Sequence, residues 1–232
     1  MSRSLRGLLF ALAFVLVLVS AIPLSLALQL FGLPPSLAAT GASGTLWQGQ
    51  LHDARWGRTP LGRLSLRLSP WQLVRGQVQL QVSGPHLSAH VLRGRRSGVE
   101  HTRGTLDLAY AGLDLRLHLD DASAVFARGG CAYAGGSLVL EPRHAQAIGA
   151  ALPVLRATPR CEDGQWLARF EAGPGATLRI ERLELRLDAN GTLATHVQLA
   201  GVAPAARVAL AAQGFEASGE VMVLHTAQQL WQ

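Results

Sequence analysis

Two runs near the start of the chain alternate apolar with polar side chains. Leu64, Leu66 and Leu68 oppose Arg63, Ser65 and Arg67, and Val78, Leu80 and Val82 oppose Gln77, Gln79 and Gln81. A period of two is the mark of half-buried antiparallel strands. Between the runs lies Ser69-Pro70-Trp71-Gln72-Leu73-Val74-Arg75-Gly76. Ser69 can cap a helix, Pro70 suits a first helical position and Gly76 can close a single turn. The pattern predicts strand, short helical turn, strand.

The alternation recurs to the end of the chain. After a turn at Gly84-Pro85, a strand is expected over His86 to Leu92 and an exposed loop over Gly94 to Gly98. Thr102 to Tyr110 and Leu113 to Leu119 form a hairpin about Ala111-Gly112. Asp120 to Gly136, rich in Gly and Ala, has no period and reads as irregular. Ser137 to Leu140 is a strand, and Pro142 starts a short helix through about Ala151. Strands then run from Gln165 to Phe170, Thr177 to Leu187 and Leu193 to Leu199, separated by turns at Gly173-Pro174-Gly175 and Ala189-Asn190-Gly191. Apolar parity slips between Ile180 and Leu183, which predicts a bulge near Glu181-Arg182. Arg207 to Ala212 could close the sheet, Val221 to Leu224 is a last strand, and His225 to Gln232 is a tail.

About ten strands, each apolar on one face, with at most two short helices to cover them, must bury that face against itself. The expected fold is all-β: one strongly curled antiparallel sheet, a half-barrel or flattened sandwich, with one or two short helices and a transmembrane helix in front. Arg3 and Arg6 precede an apolar run that starts at Leu8, passes Pro23 and meets no charge until Asp53. Such a run can span a bilayer with its N-terminus in the cytoplasm. Pro23 and Ser25-Leu26-Ala27 also fit a cleaved signal peptide, but the apolar run continues beyond that site and favours an uncleaved anchor. The organisation that follows is a cytoplasmic start (1–7), an anchor (8–30), a linker stiffened by Pro34-Pro35 (31–43), a β-domain (44–224) and a tail (225–232).

At 232 residues and 49% hydrophobic content, the chain accommodates a membrane segment and one domain, with no room for a second, enzymatic one. All 21 basic residues are Arg, so Schiff-base and phosphate-loop lysine chemistry is excluded. The formal charge of +6 raises nucleic acid as a partner. Arg3 and Arg6 belong to the membrane flank, however, and the other arginines are spread along polar strand faces beside carboxylates, so no nucleic-acid partner is expected. Arg93, Arg95 and Arg96 form one local cluster, read as a solvated loop or a site for an acidic partner.

Cys131 and Cys161 are the only cysteines. In an exported segment a disulfide is the expected state, with two free thiols as the alternative. His86 and His90 share a strand face but stand roughly 13 Å apart by strand rise, too far to chelate one ion. His118 near Asp120 and Asp121 lacks an oriented nucleophile. No metal, cofactor or catalytic site is expected. Trp47 and Trp71 are candidates for core anchors or covers of a sheet end, or else for protein contacts; Trp231 belongs to the tail.

The order Gly44-Thr45-Leu46-Trp47-Gln48-Gly49, Pro60-Leu61-Gly62, Leu64-x-Leu66-x-Leu68-x-Pro70 and Leu73-Val74-x-Gly76 resembles protein N of the bacterial type II secretion system. Gly44, Trp47, Gly49, Pro70 and Gly76 are the positions that carry the likeness. Leu66 departs from the Trp that the family usually places in this strand, and keeps the position apolar. The resemblance implies a single-pass inner-membrane protein with its C-terminal domain in the periplasm. It also implies the outer-membrane secretin and inner-membrane platform proteins as partners, and folded exoproteins as cargo.

The expected function is that of a non-enzymatic accessory component of this secretion system. Trp71 and an exposed edge near Leu92 are the candidate contacts, because an open strand edge can accept a strand from a neighbour. The alternative is a periplasmic lipid-binding or lipid-transfer protein. In that case Leu113, Leu115, Leu117 and Leu119 would line an open apolar trough instead of packing against an opposite wall.

Overall fold

A computed structural model describes residues 20–31, 37–57, 59–110, 113–144, 153–173, 179–202 and 204–230, with single positions 7, 10, 14, 17 and 18. The chain forms two compact units, residues 1–85 and 86–232. The first contains helix α1 (Leu24–Phe31), strands β1 (Leu37–Ala38), β2 (Gly41–Gly44), β3 (Gln48–Trp56) and β4 (Thr59–Leu68), helix α2 (Pro70–Val74) and strand β5 (Gln77–Ser83). Its antiparallel order is β1-β3-β4-β5, with β2 also on β3.

The second unit contains β6 (Leu87–Gly94), β7 (Arg96–Tyr110), β8 (Leu113–Ala127), β9 (Gly130–His144), β10 (Leu155–Ala157), β11 (Arg160–Glu162) and β12 (Gln165–Ala172). It continues through β13 (Arg179–Leu187), β14 (Thr192–Ala200), helix α3 (Pro204–Ala212), β15 (Glu216–Ser218) and β16 (Val221–Gln229). The order is β6-β7-β8-β9-β10-β12-β13-β14-β16-β15, with β11 on β12.

Two fold-level expectations are corrected. Instead of about ten strands in a strongly curled half-barrel or sandwich, the described residues carry sixteen antiparallel strands in an open order. Nor is any helix among the described residues long and apolar enough to cross a membrane. Of the stretch 8–30 expected as a transmembrane helix, Phe10, Phe14, Val17, Leu18 and Ser20 are described as helical, and after Pro23 α1 runs over eight residues. Pro23 interrupts the run, and the chain there is tied down: Pro23 bridges Thr45, and the Leu46 amide donates to the Ile22 carbonyl at 2.9 Å. Much of 8–19, and 32–36 of the expected linker, lie outside the described residues.

Several elements also differ locally. The loop expected at Gly94 to Gly98 is occupied by the ends of β6 and β7, and the irregular stretch Asp120 to Gly136 is strand on both sides of a turn at Arg128-Gly129. Its period is hidden by paired bulges. His101 and Asp121 both take left-handed backbone (φ 52° and 54°) and face each other at 2.9 Å where β7 and β8 slip register. Pro142 starts no helix, because β9 runs on to His144; residues 145–152 lie outside the described set, as do 111–112, 174–178 and Trp231. Arg207 to Ala212 is helix, not strand. Ala206 and Leu210, four apart, bury one side of α3, while Val208 is exposed. The expected tail is strand through Gln229.

The bulge expected near Glu181-Arg182 is present between Ile180 and Arg182. The Asn190-Gly191 turn joins β13 to β14, with Asp188 Oδ1 accepting from the Asn190 and Thr192 amides. One core cluster of the second unit gathers Phe126, Leu138, Leu155, Trp166, Phe170 and Leu187. Trp166 Nε1 donates to the Ser123 carbonyl at 3.0 Å, and Ala122 and Ala124 on either side of Ser123 lie in the same cluster. A second cluster packs α3 onto Leu199, Met222, Leu224 and Phe215.

Candidate interaction surfaces

The segment with the family-like pattern is a tight hairpin. Gly44 takes φ +84°, and a Cβ there would stand 2.6 Å from the Gln48 carbonyl oxygen. At Gly49 a Cβ would stand 2.5 Å from Leu24 Cδ2 and 3.0 Å from the Thr45 carbonyl oxygen. Both glycines are therefore required by close approach: one lets the turn close, the other admits the buried Leu24 side chain. Trp47 is half-buried, and its carbonyl accepts from the Leu68 amide at 3.2 Å, fixing the turn to the end of β4.

From that end, Pro70 opens α2 and Gly76 closes it at φ +71°. Ser69 makes no side-chain cap; its amide donates to the Gln79 carbonyl at 3.1 Å instead. Trp71 is 65% exposed and Val74 81%, so Trp71 is not a core anchor. The Arg75 guanidinium lies 5.5 Å from the centre of its ring, within cation–π range. Beside this turn the polar face of the sheet is concave. Cross-strand pairing sets Gln48, Arg67 and Gln81 in one row and Gln50, Ser65 and Ser83 in the next. With Ser43 they line a trough of about 540 Å³.

The charge distribution is uneven between the two units. Residues 1–85 hold seven arginines and one carboxylate, Asp53, whereas 86–232 hold fourteen of each. The whole net charge therefore resides in the first unit. The absence of any Asp or Glu between Asp53 and Glu100 was the available signal.

In the second unit, Cys131 and Cys161 are joined, with Cα atoms 5.6 Å apart. Leu92, expected at an exposed edge, is instead buried at 6% exposure opposite Gly98 of β7. A register slip between Ser88 and His90 resets the parity of β6 and turns Leu92 inward. Leu117 and Leu119 pack against the core cluster, and Leu115 is half-buried. Arg93 and Arg95 are exposed, and Arg96 pairs with Glu100 at 3.0 Å.

One cross-strand row, Arg169-Glu184-His196-His225, spans β12, β13, β14 and β16. The His196 and His225 rings lie 4.1 Å apart, and burial followed by the His225 charge lowers the His196 pKa. Among the described residues no group of three or more His, Cys, Asp or Glu could hold a metal.

An uncovered edge stretch lies on β16 of the second unit. β15 pairs with β16 only over Val221 to Val223. No strand among the described residues covers the outer edge of β16 from Leu224 to Gln228. That stretch, Leu-His-Thr-Ala-Gln, has no Asp, Glu, Arg or Pro, the devices that normally blunt an edge.

Among the described residues the chain thus presents an open antiparallel sheet, an edge stretch on β16 that no strand covers, and an exposed Trp71. In comparison with known proteins, the model of the family described as type II secretion system (T2SS), protein N, matches residues 35–223, and the chain belongs to that family. The type II secretion system protein N of Vibrio cholerae serotype O1 is 37% identical over 89 residues, covering 38% of this chain and 35% of that relative. No solved structure matches the chain.

Proposed function

We propose that this chain is a non-enzymatic accessory component of the type II secretion system, associated with the inner membrane and presenting its β-rich second unit in the periplasm, where it supports export of folded exoproteins. The outer-membrane secretin and inner-membrane platform proteins are its partners. Family membership over 35–223 supports the system. The observation that carries the mode of action is the bare edge of β16. Strand addition there supplies main-chain hydrogen bonds for affinity, while alternate side chains of the added strand supply specificity. The Cys131–Cys161 disulfide fits an oxidising compartment. Packing of Leu117 and Leu119 into the core supports this reading over a lipid carrier with an apolar trough.

A photo-crosslinking residue at Gln228 of the full chain tests the assignment in intact cells. Adducts to secretin or platform subunits from Gln228, and none from the exposed turn residue Arg128, are expected. Equal labelling from both positions, or none from Gln228, contradicts it.

A further inference from the structure

The first unit carries an unusual surface. Arg55, Arg63, Arg67 and Arg75 are all exposed. Among the described residues none has a carboxylate within ion-pair distance, whereas eight arginines of the second unit reach one at 2.7–3.7 Å. The one carboxylate of this unit, Asp53, is engaged by the Thr40 hydroxyl at 3.0 Å. Uncompensated guanidiniums on a folded surface repel one another, and an anionic partner relieves the repulsion.

Which anion follows from what accompanies the charge. Trp71 and Val74 stand out from α2 into solvent, with Arg75 over the Trp71 ring. A Trp flanked by Arg, with an exposed aliphatic beside it, is the composition that settles at the headgroup layer of a bilayer. Four residues before Trp71, Arg67 occupies the middle of the polar trough, between the amides of Gln48 and Gln81 and next to the hydroxyl of Ser65. Donors of that kind, with no carboxylate among the lining residues, suit a phosphate. A nucleic acid would use the charge but leave Val74 unexplained.

We propose that the first unit docks onto an anionic lipid surface, with lipid phosphate seated at Arg67 and with Trp71 and Val74 entering the headgroup layer. Arg63 and Arg75 add to the attraction, and the second unit, formally neutral, stays free to engage protein partners. The contact depends on the lipid headgroup and on ionic strength, which distinguishes it from simple apolar insertion. It goes beyond the secretion reading and does not depend on which subunits bind at β16.

The test uses the full chain with Val74→Cys carrying a polarity-sensitive fluorophore; the native cysteines are paired and leave one thiol to label. The protein is reconstituted in vesicles of phosphatidylcholine alone and of phosphatidylcholine with roughly one third phosphatidylglycerol, a composition anionic enough to draw basic segments. A blue shift with quenching by spin-labelled lipid is expected only in the anionic vesicles, and it is lost at high salt. The variant Arg63→Gln/Arg67→Gln/Arg75→Gln weakens the contact on the order of 100-fold, about fivefold per arginine near the surface. The control Arg156→Gln/Arg160→Gln/Arg182→Gln in the second unit leaves it unchanged. Equal emission in both vesicles, or a triple variant that behaves like the parent, overturns the proposal. A shift produced as well by soluble polyglutamate assigns the surface to an acidic polypeptide and overturns it too. Melting temperature verifies that each variant is folded. Cross-linking at Gln228 is read separately, so failure here leaves the secretion reading standing, and the reverse.

Discussion

Arg169 and Glu184 face each other across β12 and β13, with Arg169 Nε donating to Glu184 Oε1 at 2.7 Å. The Glu184 side chain is 4% exposed, and Arg186 and Arg182 approach it at 3.4 and 3.7 Å. Burial raises its pKa, but the Arg169 hydrogen bond and charge, joined by Arg186 and Arg182, outweigh burial and hold the carboxyl below its ordinary 4.5. A depressed folded pKa adds stability above the unfolded value and loses it as pH falls through the folded one. Glu184→Gln is therefore expected to cost roughly 1–3 kcal/mol at neutral pH, since it leaves three guanidiniums without their carboxylate. The variant should also lose stability less steeply than the parent below about pH 4.5, the ordinary value of the lost carboxyl. Urea melts of both proteins at neutral and acid pH check this.

The disulfide closes a loop with a sequence separation of 30. Loop entropy gives it roughly 3–4 kcal/mol. Cys131→Ala/Cys161→Ala should lower the urea midpoint by a matching amount. In the parent, reductant should produce the same shift, and in the double variant none.

Gly49→Ala places a methyl against Leu24 and the Thr45 carbonyl. Backbone on one side leaves little room for relief, so a loss of about 1–3 kcal/mol is expected. Protease nicking or hydrogen exchange should localise that loss to α1 and the β2–β3 turn. Uniform destabilisation of the first unit would argue against this account of the glycine.

α3 seals one face of the sheet behind β16 through Ala206 and Leu210. Leu210→Ala should cost roughly 2–4 kcal/mol by leaving a cavity beside Met222 and Leu224, and should increase amide exchange in β14 and β16 more than in β8 and β9.

Alternation made β4 legible because it has one clean buried face, with Leu64 and Leu66 inside and Arg63 and Arg67 outside. Asn190-Gly191 and the parity slip at Ile180 were legible for the same reason: local chemistry and global pairing agree there. Around Ala122 and Ala124 they do not. Side chains there are small, and the left-handed His101 and Asp121 break the period, so strand looked like loop. Arg207 to Ala212 is too short for its period to distinguish helix from strand. Polar residues on both faces after Leu224 suggested a tail, but an edge strand exposed to water has no need of alternation. The burial of Leu92 was not legible, because only pairing reveals the slip that turns it inward.

Under the proposed function, the edge of β16 is where this protein joins the secretion assembly. The most direct test is affinity purification of the full chain from native envelopes in mild detergent, comparing the parent with Ala227→Lys/Gln228→Lys, which places charge on the edge. Secretin or platform subunits at defined stoichiometry with the parent, and their loss with the edge variant at unchanged melting temperature, are the predicted result. Subunits retained equally by both proteins, or absent from the parent, would contradict the account.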